Sequence, residues 1–275
     1  MTGVVYSIED LKYLMSRLRD PDGGCPWDLA QSYQTIAPST IEEAYEVADA
    51  IERHEYTHLK EELGDLLFQV IFYSQLATEE ERFDFDQIVS DLVAKLIRRH
   101  PHVFPENTLH SRVSGERSQA QEASIKQRWE QLKVQERAAK GQQGVLDDVP
   151  LNFPGLTRAM KLQKRASNVG FDWPDVRGAL DKVHEELQEV EQAITTHDSQ
   201  AVAEEIGDLL FSVVNVCRHL KVEPESAIRA TNQKFEQRFN AIEAELEQRD
   251  MTVEEASAVL LDQLWEQAKH QLKAE

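Results

Sequence analysis

The sequence is poor in cysteine and in basic side chains, and it has no long apolar run. Its two cysteines, Cys25 and Cys217, are too few and too far apart for a disulfide framework or a thiolate metal cluster. Only 30 Lys and Arg stand against 50 Asp and Glu, giving a net charge of −20 and a pI near 4.9. Such a field repels nucleic acid and anionic membrane surfaces, so neither is expected as a partner. It leaves room for a small anionic ligand wherever a metal or a local basic cluster inverts the sign. No window approaches about 18 uncharged apolar residues, so no membrane span is expected. The amino-terminal "MTGVVYSIEDLKYLM" lacks a basic-then-apolar leader, and a reducing cytoplasmic location is the expectation. Strand-type alternation is nearly absent, and no Gly-rich phosphate loop, H-E-x-x-H or G-x-S-x-G motif occurs.

What remains is helical periodicity, and it occurs twice. "STIEEAYEVADAI" sets Ile41, Ala44, Ala48 and Ile51 at helical spacing, and "LGDLLFQVIFYSQLA" is apolar on every side, as in a central bundle helix. Aligning Glu42–Val70 with Glu185–Val213 at an offset of 143 gives 15 identities in 29 positions. Other landmarks follow in the same order: Trp27 and Trp173, Lys95/Arg99 and Lys234/Arg238, Trp129/Lys133 and Trp265/Lys269. The 275 residues therefore read as all-α, a tandem repeat of two helical-bundle domains of roughly 130 residues each. The expected divisions are an N-terminal domain at 1–137, a linker at 138–155 over "KGQQGVLDDVPLNFPG", and a C-terminal domain at 156–275.

Each repeat carries E-x-x-E on one helix and E-x-x-D on the next. These are Glu43, Glu46, Glu62 and Asp65 in the first copy, and Glu186, Glu189, Glu205 and Asp208 in the second. Residues three apart share a helical face, and a short connection makes the helices antiparallel neighbours, so the two pairs converge. Four converging carboxylates must be neutralised by protons or by a cation. Oxygen-only ligands favour Mg²⁺ first, with Mn²⁺ or Ca²⁺ after it. Individually, these residues have simpler readings. Ser39 and Glu42 have capping-box spacing, and Glu61 and Glu62 suit a helix start through the macrodipole. Retention of the whole set in both copies favours the metal. Gly64 and Gly207 recur beside Asp65 and Asp208 and suggest a close helix approach, since glycine costs a helix about 1 kcal/mol. A di-iron bundle would need Glu-x-x-His from two helices, and Glu55/His58 has only Asp198/Ala201 as counterpart.

Two further i,i+4 pairs complete the inventory. Lys234 and Arg238 suit a polyphosphate, whereas Trp265 and Lys269 suit either a flat ligand or, for the tryptophan, a core position.

These segments resemble the MazG-type nucleoside triphosphate pyrophosphohydrolases, on "EEAYEVADAI…EELGDLLFQV", "EELQEVEQAI…EEIGDLLFSV", "RRHPHVF", "NQKFEQRF" and "WEQAK". The resemblance runs end to end. It implies an all-α NTP-pyrophosphatase fold, a homodimer, and Mg²⁺-dependent hydrolysis of nucleoside triphosphates to monophosphate and pyrophosphate in nucleotide-pool cleanup. It implies that Glu186, Glu189, Glu205 and Asp208 hold the metal, with Glu43, Glu46, Glu62 and Asp65 as first-copy counterparts. Lys234 and Arg238 would contact phosphates, and Trp265 and Lys269 the nucleotide. Among two-domain relatives the carboxy-terminal copy is usually the more active. Glu185 and Glu204, each adjacent to an implied ligand, are candidates for the general base. A non-enzymatic acidic helical interaction protein and a di-metal enzyme of other chemistry are the competing readings.

Overall fold

The computed structural model describes residues 4–112 and 144–271. The chain divides into two compact units, 1–136 and 137–275, and among the described residues every regular element is helical. Trp129 and Lys133, expected to parallel Trp265 and Lys269, lie outside the described residues.

The first unit contains α1 (Ile8–Leu18), α2 (Pro26–Leu29), α3 (Tyr33–Glu52), α4 (Tyr56–Glu79) and α5 (Phe85–Arg99). Ser7 caps α1 in a reciprocal box with Asp10, and Asp84 caps α5 with Gln87, each satisfying amide hydrogens that the first helical turn leaves free. α3 begins earlier than the Ser39/Glu42 spacing suggests. Ser32 is its cap, paired with Thr35, so Ser39 lies inside the helix. α4 likewise starts at Tyr56, which places Glu61 and Glu62 in its second turn. The macrodipole fades within one turn, so it is not what explains these carboxylates. α5 stops at Arg99, two residues before Pro101, which cannot continue a helix.

Met15, Ile36, Ile71, Phe72 and Leu76 form the first unit's core, with Leu11, Tyr33, Phe68, Tyr73 and Phe85 packed on it. A half-buried ion pair borders this core. Arg19 donates through Nε and Nη2 to Glu79 at 2.8 and 2.6 Å, and its guanidinium lies 5.4 Å from the Phe72 ring centroid. Burial alone would raise the Glu79 pKa, but hydrogen bonds from Arg19 and Gln75 carry it below the ordinary value. The expectation of a helix buried all round holds only for the second half of α4. Leu63 and Leu67 are half-exposed, as are Ile41 and Ile51 on α3.

The second unit contains α6 (Gly155–Ser167), α7 (Val176–Thr196), α8 (Ser199–Leu220), α9 (Pro224–Glu247) and α10 (Ala258–Gln271). α7 and α8 pack along each other and α6 packs against α8. The α7–α8 turn needs only His197, in the left-handed conformation, and Asp198, which caps α8 by accepting from two amides. Two residues can only reverse the chain, so the helices run antiparallel. Ile242, Leu246 and Leu264 tie α9 to α10. Ile206, Leu210 and Phe211 on α8 remain half-exposed.

Phe72 is wholly buried, and truncating such a ring removes both transfer and packing energy. Phe72→Ala is expected to destabilise the first unit by about 3–5 kcal/mol, measured as a fall in the urea midpoint by circular dichroism.

Candidate functional site

The paired helices bring the predicted carboxylates together in both copies. Glu43 of α3 meets Glu62 and Asp65 of α4, and Glu186 of α7 meets Glu205 and Asp208 of α8. In each trio one oxygen per residue lies within 4.8 Å of the others. The fourth members stand beside these trios. Glu46 raises the pKa values of Glu43 and Glu62, and Glu186 raises that of Glu189, as expected where carboxyl groups crowd together. Burial, then the charges of Asp65, Glu46 and Glu62, raise the Glu43 pKa. Burial raises Glu62, with His58 opposing. The hydrogen bond to Glu186, then burial, raises Glu189.

The deepest ligand differs between the copies, and so does the cation that meets it. Glu186 is 4% exposed, and Lys182, one turn earlier, reaches its Oε1 at 2.7 Å. Its hydrogen bonds to Glu185 and Glu186 raise the Lys182 pKa strongly. In the first copy Glu62 is 7% exposed, and His58 Nε2 lies 2.6 Å from its Oε1. At the offset of 143, Ser39 replaces Lys182 and Ala201 replaces His58. Lys182 was legible as an i,i+4 partner of Glu186, but its role was not recognised from the sequence.

The fit of a hard divalent ion is favoured by Glu186 Oε2, which is buried and has no hydrogen-bond partner among the described residues. A buried carboxylate oxygen with no donor is costly, and an all-oxygen set is the chemistry that Mg²⁺ or Ca²⁺ requires. The Glu-x-x-His spacing of Glu55 and His58, which pair at 3.4 Å, meets Asp198 and Ala201 at the matching positions of the second copy. The glycines also play a different part from the one expected. Among the described residues a Cβ on Gly64 or Gly207 would meet nothing within 4 Å, so no close helix approach there depends on either glycine.

The other predicted residues form a separate group. Arg238 of α9 stacks on Trp265 of α10, 5.4 Å from the ring centroid, and Phe235 approaches the same ring at 5.3 Å. Arg238 Nε is buried without a hydrogen-bond partner among the described residues. Trp265 also packs on Ile242, Leu246 and Leu264. Lys269 pairs with Glu266 at 2.7 Å, and Lys234 is exposed on α9. Glu185 and Glu204 are exposed and stand outside the trio: Glu185 pairs with Lys182, and Glu204 accepts from Gln200 at 3.2 Å.

A cavity of about 740 Å³ joins the second carboxylate set to an unexpected polar group. Lys182, Glu186 and Asp208 line it together with Asp172, Asn215 and Arg218. Asp172 and Arg218, 46 residues apart, form a two-bonded ion pair that no local spacing could reveal. Burial would raise the Asp172 pKa, but Arg218 and His219 carry it down. None of Lys234, Arg238, Trp265 or Lys269 lines this cavity.

Two duplicated acidic cradles on antiparallel helix pairs, one opening into a sizeable cavity, form sites that could hold a cation. The model of the MazG nucleotide pyrophosphohydrolase domain matches residues 31–104 and again 177–242, and these spans enclose both cradles. The chain is 47% identical to the nucleoside triphosphate pyrophosphohydrolase of Escherichia coli K12, over 96% of its length and 97% of the relative's. It is 41% identical to the nucleoside triphosphate pyrophosphohydrolase/pyrophosphatase MazG of Thermotoga maritima, over 95% of each. It is 37% identical to the uncharacterized protein YabN of Bacillus subtilis, over 96% of this chain and 52% of that one. The chain belongs to the MazG nucleotide pyrophosphohydrolase family.

The raised carboxyl groups link stability to pH and cation. Glu43, Glu62 and Glu189 hold protons above the ordinary glutamate value of 4.5. Their stability contribution is therefore complete below that value and is lost as pH rises through the raised one. In EDTA the thermal midpoint should fall from pH 4.5 toward neutrality, and the increment restored by Mg²⁺ should grow over the same range. Glu62→Gln should flatten both trends, read by calorimetry.

Proposed function

We propose that the chain is a Mg²⁺-dependent enzyme that hydrolyses nucleoside triphosphates to monophosphate and pyrophosphate, and that the second copy carries the reaction. The observation that bears most weight is the buried Glu186, with one oxygen held by Lys182 and the other unpartnered, opening into a cavity large enough for a nucleotide. The names of the near full-length relatives support the reaction, and the oxygen-only donor set supports Mg²⁺, with Mn²⁺ as a substitute.

Glu186, Glu189, Glu205 and Asp208 would hold the ion, which when bound screens the charge of the attacked phosphate and supplies a more acidic water. The protein's own groups do the rest. Lys182, which holds Glu186 and lines the cavity, can also donate an N–H to a phosphate oxygen there. Glu185 shares that lysine and, with Glu204, is the candidate proton acceptor outside the ligand trio. Lys234, Arg238, Trp265 and Lys269 form a second, basic and aromatic face on α9 and α10 for the polyphosphate or nucleotide. That face and the carboxylates lie on different helix pairs. The half-exposed Leu63, Leu67, Ile206 and Leu210, together with the open space over Gly64 and Gly207, suit a homodimer. The first copy retains its carboxylates but has a serine where the second has Lys182, so its part in the reaction is smaller.

Three variants and a product-resolved assay test this. Asp208→Asn should lower kcat/KM about 100-fold or more, as loss of groups even outside the metal's immediate ligands costs 10–100-fold. Lys182→Met should lower it about tenfold, the worth of a charge-assisted hydrogen bond. Asp65→Asn should have little effect. Release of orthophosphate and nucleoside diphosphate by the wild type would overturn the reaction.

A further inference from the structure

The segment that joins α6 to α7, residues 168–175, carries no buried residue. Its apolar side chains are turned largely to solvent, with Val169 64% and Phe171 83% exposed. Yet Gly170, Phe171, Asp172 and Trp173 line the cavity beside the carboxylates. A wall with no buried apolar anchor depends on its polar contacts for its position. The α6 side of the cavity is built differently. There Gln163 donates through Nε2 to the Phe211 carbonyl of α8 at 2.7 Å. Its Oε1 stays buried without a hydrogen-bond partner among the described residues.

Asp172 is what ties the segment to α8. Arg218 Nη1 donates to its Oδ2 at 2.9 Å and Nη2 to its Oδ1, and His219 Nε2 lies 3.2 Å from the same Oδ1. Two parallel hydrogen bonds fix orientation as well as distance. The guanidinium is itself held from behind, because Nε and Nη2 donate to Asn215 Oδ1 at 3.0 and 2.8 Å. The Asp172 carboxylate also accepts from the Trp173 amide at 2.8 Å, so the contact with α8 sets the backbone at the next residue. The Trp173 ring then lies on α7, where a Cβ on Gly178 would come within 2.8 Å of it. Side chains 14% and 26% exposed leave this pair little screened by salt.

The first copy makes a comparable tie with the opposite polarity. There the connection after α1 supplies the base, Arg19, and the end of α4 supplies the acid, Glu79. At the offset of 143, Gln75 stands where the second copy has Arg218, and Phe72 where it has Asn215. The Arg19 guanidinium lies against the wholly buried Phe72 ring, so packing and charge act together. In the second copy the pair lines a cavity instead.

We propose that Asp172 and Arg218 are positioning residues, whose ion pair clamps the 168–175 segment and its Trp173 in place as a wall of the cavity. The assignment rests on the triphosphate-cleaving function proposed above for that cavity. Neither residue acts on the reacting atoms. Loss of the clamp lets the wall shift while Lys182, Glu186 and Asp208 keep their places, so it weakens binding more than it slows the bound substrate.

The test uses two variants of the full chain. Asp172→Asn keeps the shape and removes the charge, whereas Arg218→Lys keeps the charge and removes the fork. In each, KM for a nucleoside triphosphate should rise about tenfold, the worth of a charge-assisted hydrogen bond, and by more than kcat falls. The double variant should raise KM no further than the larger single change, because the two residues act as one unit. Trp173 reports on the segment without turnover. Its emission, taken as the difference between each protein and its Trp173→Phe counterpart, should be quenched by acrylamide more strongly in both variants, toward the level of a free indole. Unaltered quenching would overturn the clamp. Stronger quenching with unaltered KM would overturn its part in the reaction, and fully additive effects on KM would overturn the pair as a unit. Failure of the wild type to release pyrophosphate from any nucleoside triphosphate would overturn the underlying reaction, with the quenching still deciding the clamp. Thermal midpoints establish that the variants are folded, and Arg218→Lys carries both readouts should Asp172→Asn unfold.

Discussion

Mutual repulsion among converging carboxylates is the constraint on which the rest of this structure depends. Each helix pair aims three acidic side chains at one point, with a fourth close enough to raise their pKa values or have its own raised. Charges so placed cannot all ionise without compensation. The chain supplies partial compensation from inside, through Lys182 in one copy and His58 in the other, and by keeping Glu43, Glu62 and Glu189 protonated beyond their usual range. What these leave unbalanced is an all-oxygen group that could hold a divalent cation. The antiparallel hairpins, their capped starts and their short turns are the scaffold that maintains this frustrated arrangement.

The repeat, the helical class and the carboxylate sets were legible in the sequence because they are local or periodic features. Spacing of three puts two carboxylates on one helix face whatever surrounds them. Helix boundaries were read less well. Ser39/Glu42 has capping spacing, but Ser32/Thr35 performs that function seven residues earlier, because apolar Ile36 must join the core with Met15. Gly64 and Gly207 suggested close helix contact, but only coordinates could show the open space above them. The Asp172–Arg218 pair and the unpartnered oxygen of Gln163 depend on three elements meeting, and no short-range pattern encodes that.

Duplication makes the chain its own control. The two copies share the carboxylates, yet they differ at positions that touch them. Lysine faces the deepest glutamate of one and histidine that of the other. Hydrogen bonds to Glu185 and Glu186 raise the Lys182 pKa, so the second copy keeps a positive group beside its carboxylates.

The core positions diverge in the same direction. A buried phenylalanine contributes several kcal/mol through burial and packing, and the first copy retains that contribution at Phe72. The second copy replaces it with an asparagine, then holds that asparagine in place through Arg218 and Asp172, two further charged groups whose desolvation must be met by their pairing. A fold under pressure for stability alone would fill this space, since its own first half shows that the same helices accept the filling. The open cavity, its neutral amides and the intact Lys182–Glu186 contact occur together in one copy. The first copy has serine and phenylalanine at the positions of Lys182 and Asn215, so the two halves have diverged both at the carboxylate contact and in the adjoining core.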